Sequence, residues 1–119
     1  MARGRQYWLE AEEKWPALQQ FIACYLHQTW PDISGTPDAA IDEAVAGASH
    51  ELRKIIAQEW WRWNATAGAK DDPRRSIQDG LGACVRFENP LDARQFMNSV
   101  YDKLIVAVRA QEKGWKPSP

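Results

Sequence analysis

The sequence predicts an all-α fold, a compact single-domain bundle of five or six helices with at most one very short extended segment. Three observations carry that prediction. Apolar residues recur at helical spacing through most of the 119 residues. Proline stands repeatedly at the first turn of such a segment, at Pro16, Pro37 and Pro73, where its missing N–H costs nothing. A hydrophobic fraction of 45% is enough for one continuous core, and no period of about 20–50 residues repeats, which argues against a solenoid. Residues 1–119 therefore read as one domain, with 1–5 and 115–119 as loose ends.

Taken in order, residues 6–14 read as helical, with Tyr7-Trp8-Leu9 also compatible with an extended segment. The next helix runs from Pro16 to Gln28. At about 100° per residue it places Leu18, Phe21, Ile22, Tyr25 and Leu26 on one face and Gln19, Gln20, Ala23 and His27 on the other. Residues 30–35 form a loop broken by Pro31 and Gly35. Thr36 caps a short helix that begins at Pro37 and runs to about Ala46, with Gly47 ending it. Ser49 caps the following helix, which continues to Asn64 with Leu52, Ile55, Ile56, Trp60 and Trp63 as its core stripe. Asp72-Pro73 opens a fourth helix that ends near Gly80 or Gly82, and residues 84–87 make a short extended crossing. The last helix starts at Leu91 or Asp92 and reaches Glu112, with Phe96, Met97, Val100, Tyr101, Leu104, Ile105 and Val108 inward. Gly114 stops it, and a tail follows.

Composition excludes several functions. A net charge of -1 argues against a dedicated nucleic-acid binder, which carries a basic surplus or stripe. Two cysteines, Cys24 and Cys84, are too few and too far apart for a disulfide framework and fit a reducing cytoplasm. The basic start, Met1 to Arg5, is followed by no apolar run, so it does not read as a signal peptide. No stretch approaches the roughly 20 apolar residues that cross a bilayer.

Chemistry is scarce. A zinc site needs three or four ligands, usually in paired spacing, and His27, His50, Cys24 and Cys84 show none. Cys24 and His27 stand at i and i+3, which a ligand pair permits, but a surface histidine beside a half-buried cysteine accounts for them as well. No motif supports a Cys–His nucleophile. Gly80-Leu81-Gly82 follows a helix rather than opening one, which is helix-end chemistry and not a phosphate loop. No enzyme, metal or cofactor is expected.

What remains is surface. Seven tryptophans are many for this length, and tryptophan is enriched where proteins grip partners. Trp61 falls about 160° from the centre of its helix's apolar stripe. It either packs beneath a neighbouring element or stands out as an interface anchor. From Trp30 to Leu52 there are five acidic residues, Asp32, Asp38, Asp42, Glu43 and Glu51, and no Lys or Arg. They form either a solvated face or a patch that steers a basic partner. The stretch Arg53 to Arg75 is net basic, which leaves a nucleic-acid-binding or adaptor module through Arg53, Lys54, Arg62, Arg74 and Arg75 as the alternative function.

One segment supports a resemblance. Trp15-Pro16-Ala17-Leu18, then Phe21 to Trp30 with Tyr25-Leu26-His27-Gln28-Thr29-Trp30, resembles the opening of bacterial contact-dependent growth inhibition immunity proteins. Leu26 stands where an aromatic is usual there, and Thr29 where an acidic residue is usual. The order that follows is similar too, with Asp38 to Glu43, Leu52 to Ile56 and Gly82-Ala83-Cys84-Val85. The resemblance implies a cytoplasmic protein that binds the carboxyl-terminal toxin domain of an exported effector, often a nuclease, one to one and without covalent chemistry. The motif residues Trp15, Pro16, Tyr25, His27, Gln28 and Trp30 read mainly as fold residues. Toxin contact is expected at Asp32, Asp38, Asp42 and Glu43, with Trp61 as a further candidate.

Overall fold

A computed structural model describes residues 2–25, 36–66, 72–83 and 87–118. Its helices are α1 (Ala2–Lys14), α2 (Pro16–Tyr25), α3 (Pro37–Gly47), α4 (His50–Asn64), a π-helical turn (Ser76–Gly80) and α5 (Pro90–Gln111). Among the described residues there is no strand. The all-α bundle predicted from the sequence is what forms. Its Cα radius of gyration of 13.5 Å matches the roughly 13–14 Å of one packed domain of this length.

Local chemistry sets most helix boundaries. Thr36 accepts the Ala39 N–H at 3.0 Å, Ser49 accepts from Leu52 at 3.1 Å, and Asn89 accepts from Asp92 at 2.9 Å. Asn89 starts α5 at Pro90, one residue before the earliest start expected. α1 is helical from Ala2, so the basic start is part of a helix rather than a loose end. Helix α2 follows Trp15, which has no capping side chain. Instead the Glu59 carboxylate of α4 accepts the Leu18 N–H at 2.9 Å, so a distant residue satisfies a donor that the first turn leaves open.

Two expected faces are corrected. Gln19, placed on the polar side of α2, is 5% exposed, because α1 and the π-helical turn close over it. Its amide donates to the Trp8 and Gly80 carbonyls, both at 2.9 Å. On α4 the core stripe is Ile56, Ala57, Trp60 and Trp63, while Leu52 and Ile55 are exposed. The stripe is rotated because α4 packs against both α2 and α5, and Leu52 and Ile55 fall beyond the α2 edge.

The fourth helix is shorter than expected and wider in pitch. Leu81 N–H bonds the Ser76 carbonyl at 3.0 Å, five residues back, so the turn closes as a π-helix. Gly82 follows at φ +71°, where a Cβ would stand 2.8 Å from the Trp8 ring. The expected extended crossing at 84–87 lies outside the described residues except Phe87. The tail expected to be loose makes contacts: Ser118 exchanges two hydrogen bonds with the Gln58 amide, at 3.0 and 2.7 Å. Half-buried Trp115 packs on the core.

The α4–α5 seam is aromatic. Trp60 stacks on Tyr101 with centroids 4.5 Å apart, and its Nε1 donates to the Met97 carbonyl at 2.9 Å. Trp63, 1% exposed, donates to Ser76 Oγ at 2.8 Å. Each buried indole N–H thus has an acceptor, which is the condition for burying a tryptophan without loss.

Candidate functional site

The acidic residues proposed for partner contact divide between two flanks of α3. Asp38 and Asp42, one turn apart, look toward α5. There Ser99 Oγ donates to Asp38 Oδ1 at 3.4 Å and Lys103 Nζ pairs with Asp42 Oδ1 at 2.7 Å. Both carboxylates remain largely open to solvent. Glu43 is rotated about 100° from Asp42 toward the α2 side, so it does not join them. Asp32 lies outside the described residues.

Beside Asp42 a shallow depression of about 550 Å³ runs between α3 and α5, lined among others by Ser99, Asp102, Lys103, Val106 and Ala107. Arg53 also lines it, but its guanidinium donates to the Val45 carbonyl at 2.7 Å and to that of Ala46 at 3.2 Å. It closes the carboxyl end of α3 and locks the α3–α4 corner. An ion pair as exposed as Asp42–Lys103 adds at most about 1 kcal/mol to stability.

Trp61 is 43% exposed, with its ring 6.1 Å from Tyr101. Against the observed core stripe it stands about 100° from Trp60, at the edge of the α4–α5 seam rather than opposite it. Tyr101 and Ser99 are two positions apart on α5, hence on opposite flanks of that helix. The acidic pair and Trp61 are therefore separated by the outer face of α5. The expected site residues do not converge on one pocket.

Of the motif residues, Trp15 is buried at 6% and Pro16 is the exposed first residue of α2. His27, Gln28, Trp30 and the Tyr25 side chain lie outside the described residues.

The charged groups expected to serve the nucleic-acid alternative are turned inward or to neighbours. Lys54 pairs with Glu112 at 3.0 Å, Arg74 with Asp72 at 2.8 Å and Arg75 with Asp79 at 2.9 Å. With Arg53 on its carbonyls, four of the five cations already have partners within the chain. The bond from Lys54, and a second from His50 at 3.2 Å, hold the Glu112 carboxyl below the usual range. The Arg74 fork does the same to Asp72. Glu59 goes the other way: its partial burial raises its pKa against the pull of its backbone donors.

Sequence reasoning missed three residues of consequence. Glu59 and Gln19 read as ordinary surface polar residues, and only packing gives them their roles. Val106, 69% exposed on the longest helix, was visible as an apolar residue off the α5 stripe. Among the described residues no three His, Cys, Asp or Glu side chains cluster as metal ligands, and no helix is long and apolar enough to cross a membrane.

Comparison with known proteins sharpens this picture. No curated protein and no solved structure gives a match. A family model, described as the CdiI immunity protein, matches residues 14–104. That span begins at the end of α1 and takes in the Trp15-Pro16 start, the acidic α3, α4 and most of α5. About three quarters of the sequence is covered, and the chain belongs to the CdiI immunity protein family.

Proposed function

We propose that this protein acts in the cytoplasm as the antidote to one toxin, the carboxyl-terminal domain of an exported contact-dependent growth inhibition effector. It binds that domain non-covalently, one to one, and covers the surface the toxin uses. The observation that carries the reading is the family match across residues 14–104. The internal pairing of Arg53, Lys54, Arg74 and Arg75 supports it against the nucleic-acid alternative, because paired cations add little to phosphate binding.

A nuclease toxin presents a basic cleft to its substrate, and carboxylates can occupy such a cleft. Asp38 and Asp42 are the described acids best placed for that role, with Asp32 and Glu43 as further members and Trp61 as an anchor at a distance. Their use is mainly in speeding encounter.

The test is co-expression with the toxin domain encoded beside this gene. Cells should grow, and the two proteins should co-purify. Growth arrest equal to that of toxin alone rejects the reading. In stopped-flow mixing, the double substitution Asp38→Lys, Asp42→Lys should slow association by about tenfold or more at low salt. An unchanged association rate removes α3 from the interface.

A further inference from the structure

The outer face of α5 carries a row of residues that the bundle does not use. Leu91, Gln95, Asn98, Asp102 and Val106 recur at steps of four and three, and all are exposed. The opposite side of the same helix is complete, with Ala93, Met97, Val100, Leu104 and Val108 buried. A helix with a finished core side ordinarily presents charge to water. Helix α1 does so, exposing Arg5, Glu10, Glu12, Glu13 and Lys14. The α5 row has one charge, Asp102, and two large apolar side chains, Leu91 at 61% and Val106 at 69% exposure. Fifteen residues separate these two, about 22 Å along the axis, a span suited to an interface of standard size.

Position strengthens the argument. The row lies between the two separated features described above, Asp38 and Asp42 on one flank and Trp61 with Tyr101 on the other. A partner that meets both must cover it. Charge names the kind of partner. Asp38, Asp42, Asp92 and Asp102 border or lie on this face, while Lys103 and the carbonyl-bound Arg53 offset only part of them. A charge-poor, partly apolar strip with an acidic border is the composition of an interface core and rim.

We propose that the outward face of α5 is the docking surface for the toxin domain, which meets it with a basic patch set around apolar contacts to Leu91 and Val106. The proposal rests on the immunity reading above and adds the surface. Val106, at the mouth of the α3–α5 depression, is the central anchor, and Leu91 holds the far end. Asp102 and Asp42 take cations of the partner beside Val106.

The experiment is a binding titration of the full chain with the purified toxin domain encoded beside its gene. Val106→Arg is expected to weaken binding about 100-fold and Leu91→Arg roughly tenfold, as for a central and a peripheral anchor. Glu12→Lys, on the outer face of α1, should bind within about twofold of the unaltered chain. Gln95→Arg removes no apolar contact and repeats the test independently of any effect on folding; it should also weaken binding about tenfold. If the unaltered chain binds tightly while all three α5 variants stay within about twofold of it, the docking surface is wrong and the immunity function stands. If the unaltered chain neither binds the toxin domain nor restores growth, the immunity reading falls and the docking surface with it.

Discussion

Between α4 and α5 the contact is made by large rings, with Trp60, Trp63 and Tyr101 interleaved and each buried indole N–H held by an acceptor. Between α1 and the π-helical turn the contact is made by small residues and backbone. Ala11, Gly80 and Gly82 let the chains approach, and the Gln19 amide bridges the Trp8 and Gly80 carbonyls. The first seam draws on buried area, so its strength is spread over many atoms. The second depends on a few polar contacts at close range, so its strength is concentrated and local.

Substitutions should expose that difference. Trp63→Ala in the aromatic seam is expected to destabilise by about 3–5 kcal/mol, read by urea denaturation; a loss below 1 kcal/mol would contradict the packing. Gln19→Leu keeps the volume but leaves two buried carbonyls unpaired, and should cost about 1–3 kcal/mol. That loss should come with faster hydrogen exchange in α1 and the π-helical turn while α4 and α5 stay protected. Exchange rising equally in all helices would mean that the two seams are not separable. Gly82→Ala meets a positive φ and the Trp8 ring, and should cost about 1–2 kcal/mol from backbone strain alone. Its effect should again be confined to the α1 side.

The smallest effects concern exposed charges and are read as pH dependence. Glu112 and Asp72 have lowered pKa values, so each contributes stability that is present above the ordinary carboxylate range and lost as pH falls through its folded-state value. Glu112→Gln should flatten the acid limb of the melting curve. Glu59 has the opposite sign. Its raised pKa makes its contribution full below the ordinary glutamate range and lost as pH rises through the folded-state value. Glu59→Gln should therefore remove a small stability decrease between mildly acidic and neutral pH, and an unchanged pH profile would show that its burial carries no titration cost.

The two seams were not equally legible in the sequence. Period and caps located α3, α4 and α5 within a residue or two, because Thr36, Ser49 and Asn89 act on their own next turn. The expected stripe of α4 was rotated, because Leu52 and Ile55 satisfy the period while the arrangement of α2 and α5 decides which residues are covered. Gln19 was assigned to solvent for the same reason: no local rule says that α1 and the π-helical turn will close over it. The acidic run of α3 was plain from composition. The pairing of Asp42 with Lys103, sixty-one residues away, was not. Nor was the separation of that run from Trp61 by a whole helix face.

Trp60 and Trp61 are adjacent in the chain and opposite in environment, one 4% and the other 43% exposed. Indole emission moves to shorter wavelength when water is excluded and to longer wavelength when it is admitted. A partner closing over Trp61 and the α5 face would therefore shift the emission blue. Unfolding, which opens Trp15, Trp60 and Trp63 together, would shift it red. The molecule carries an internal optical sign that separates capture from collapse in a single cuvette, with no label attached.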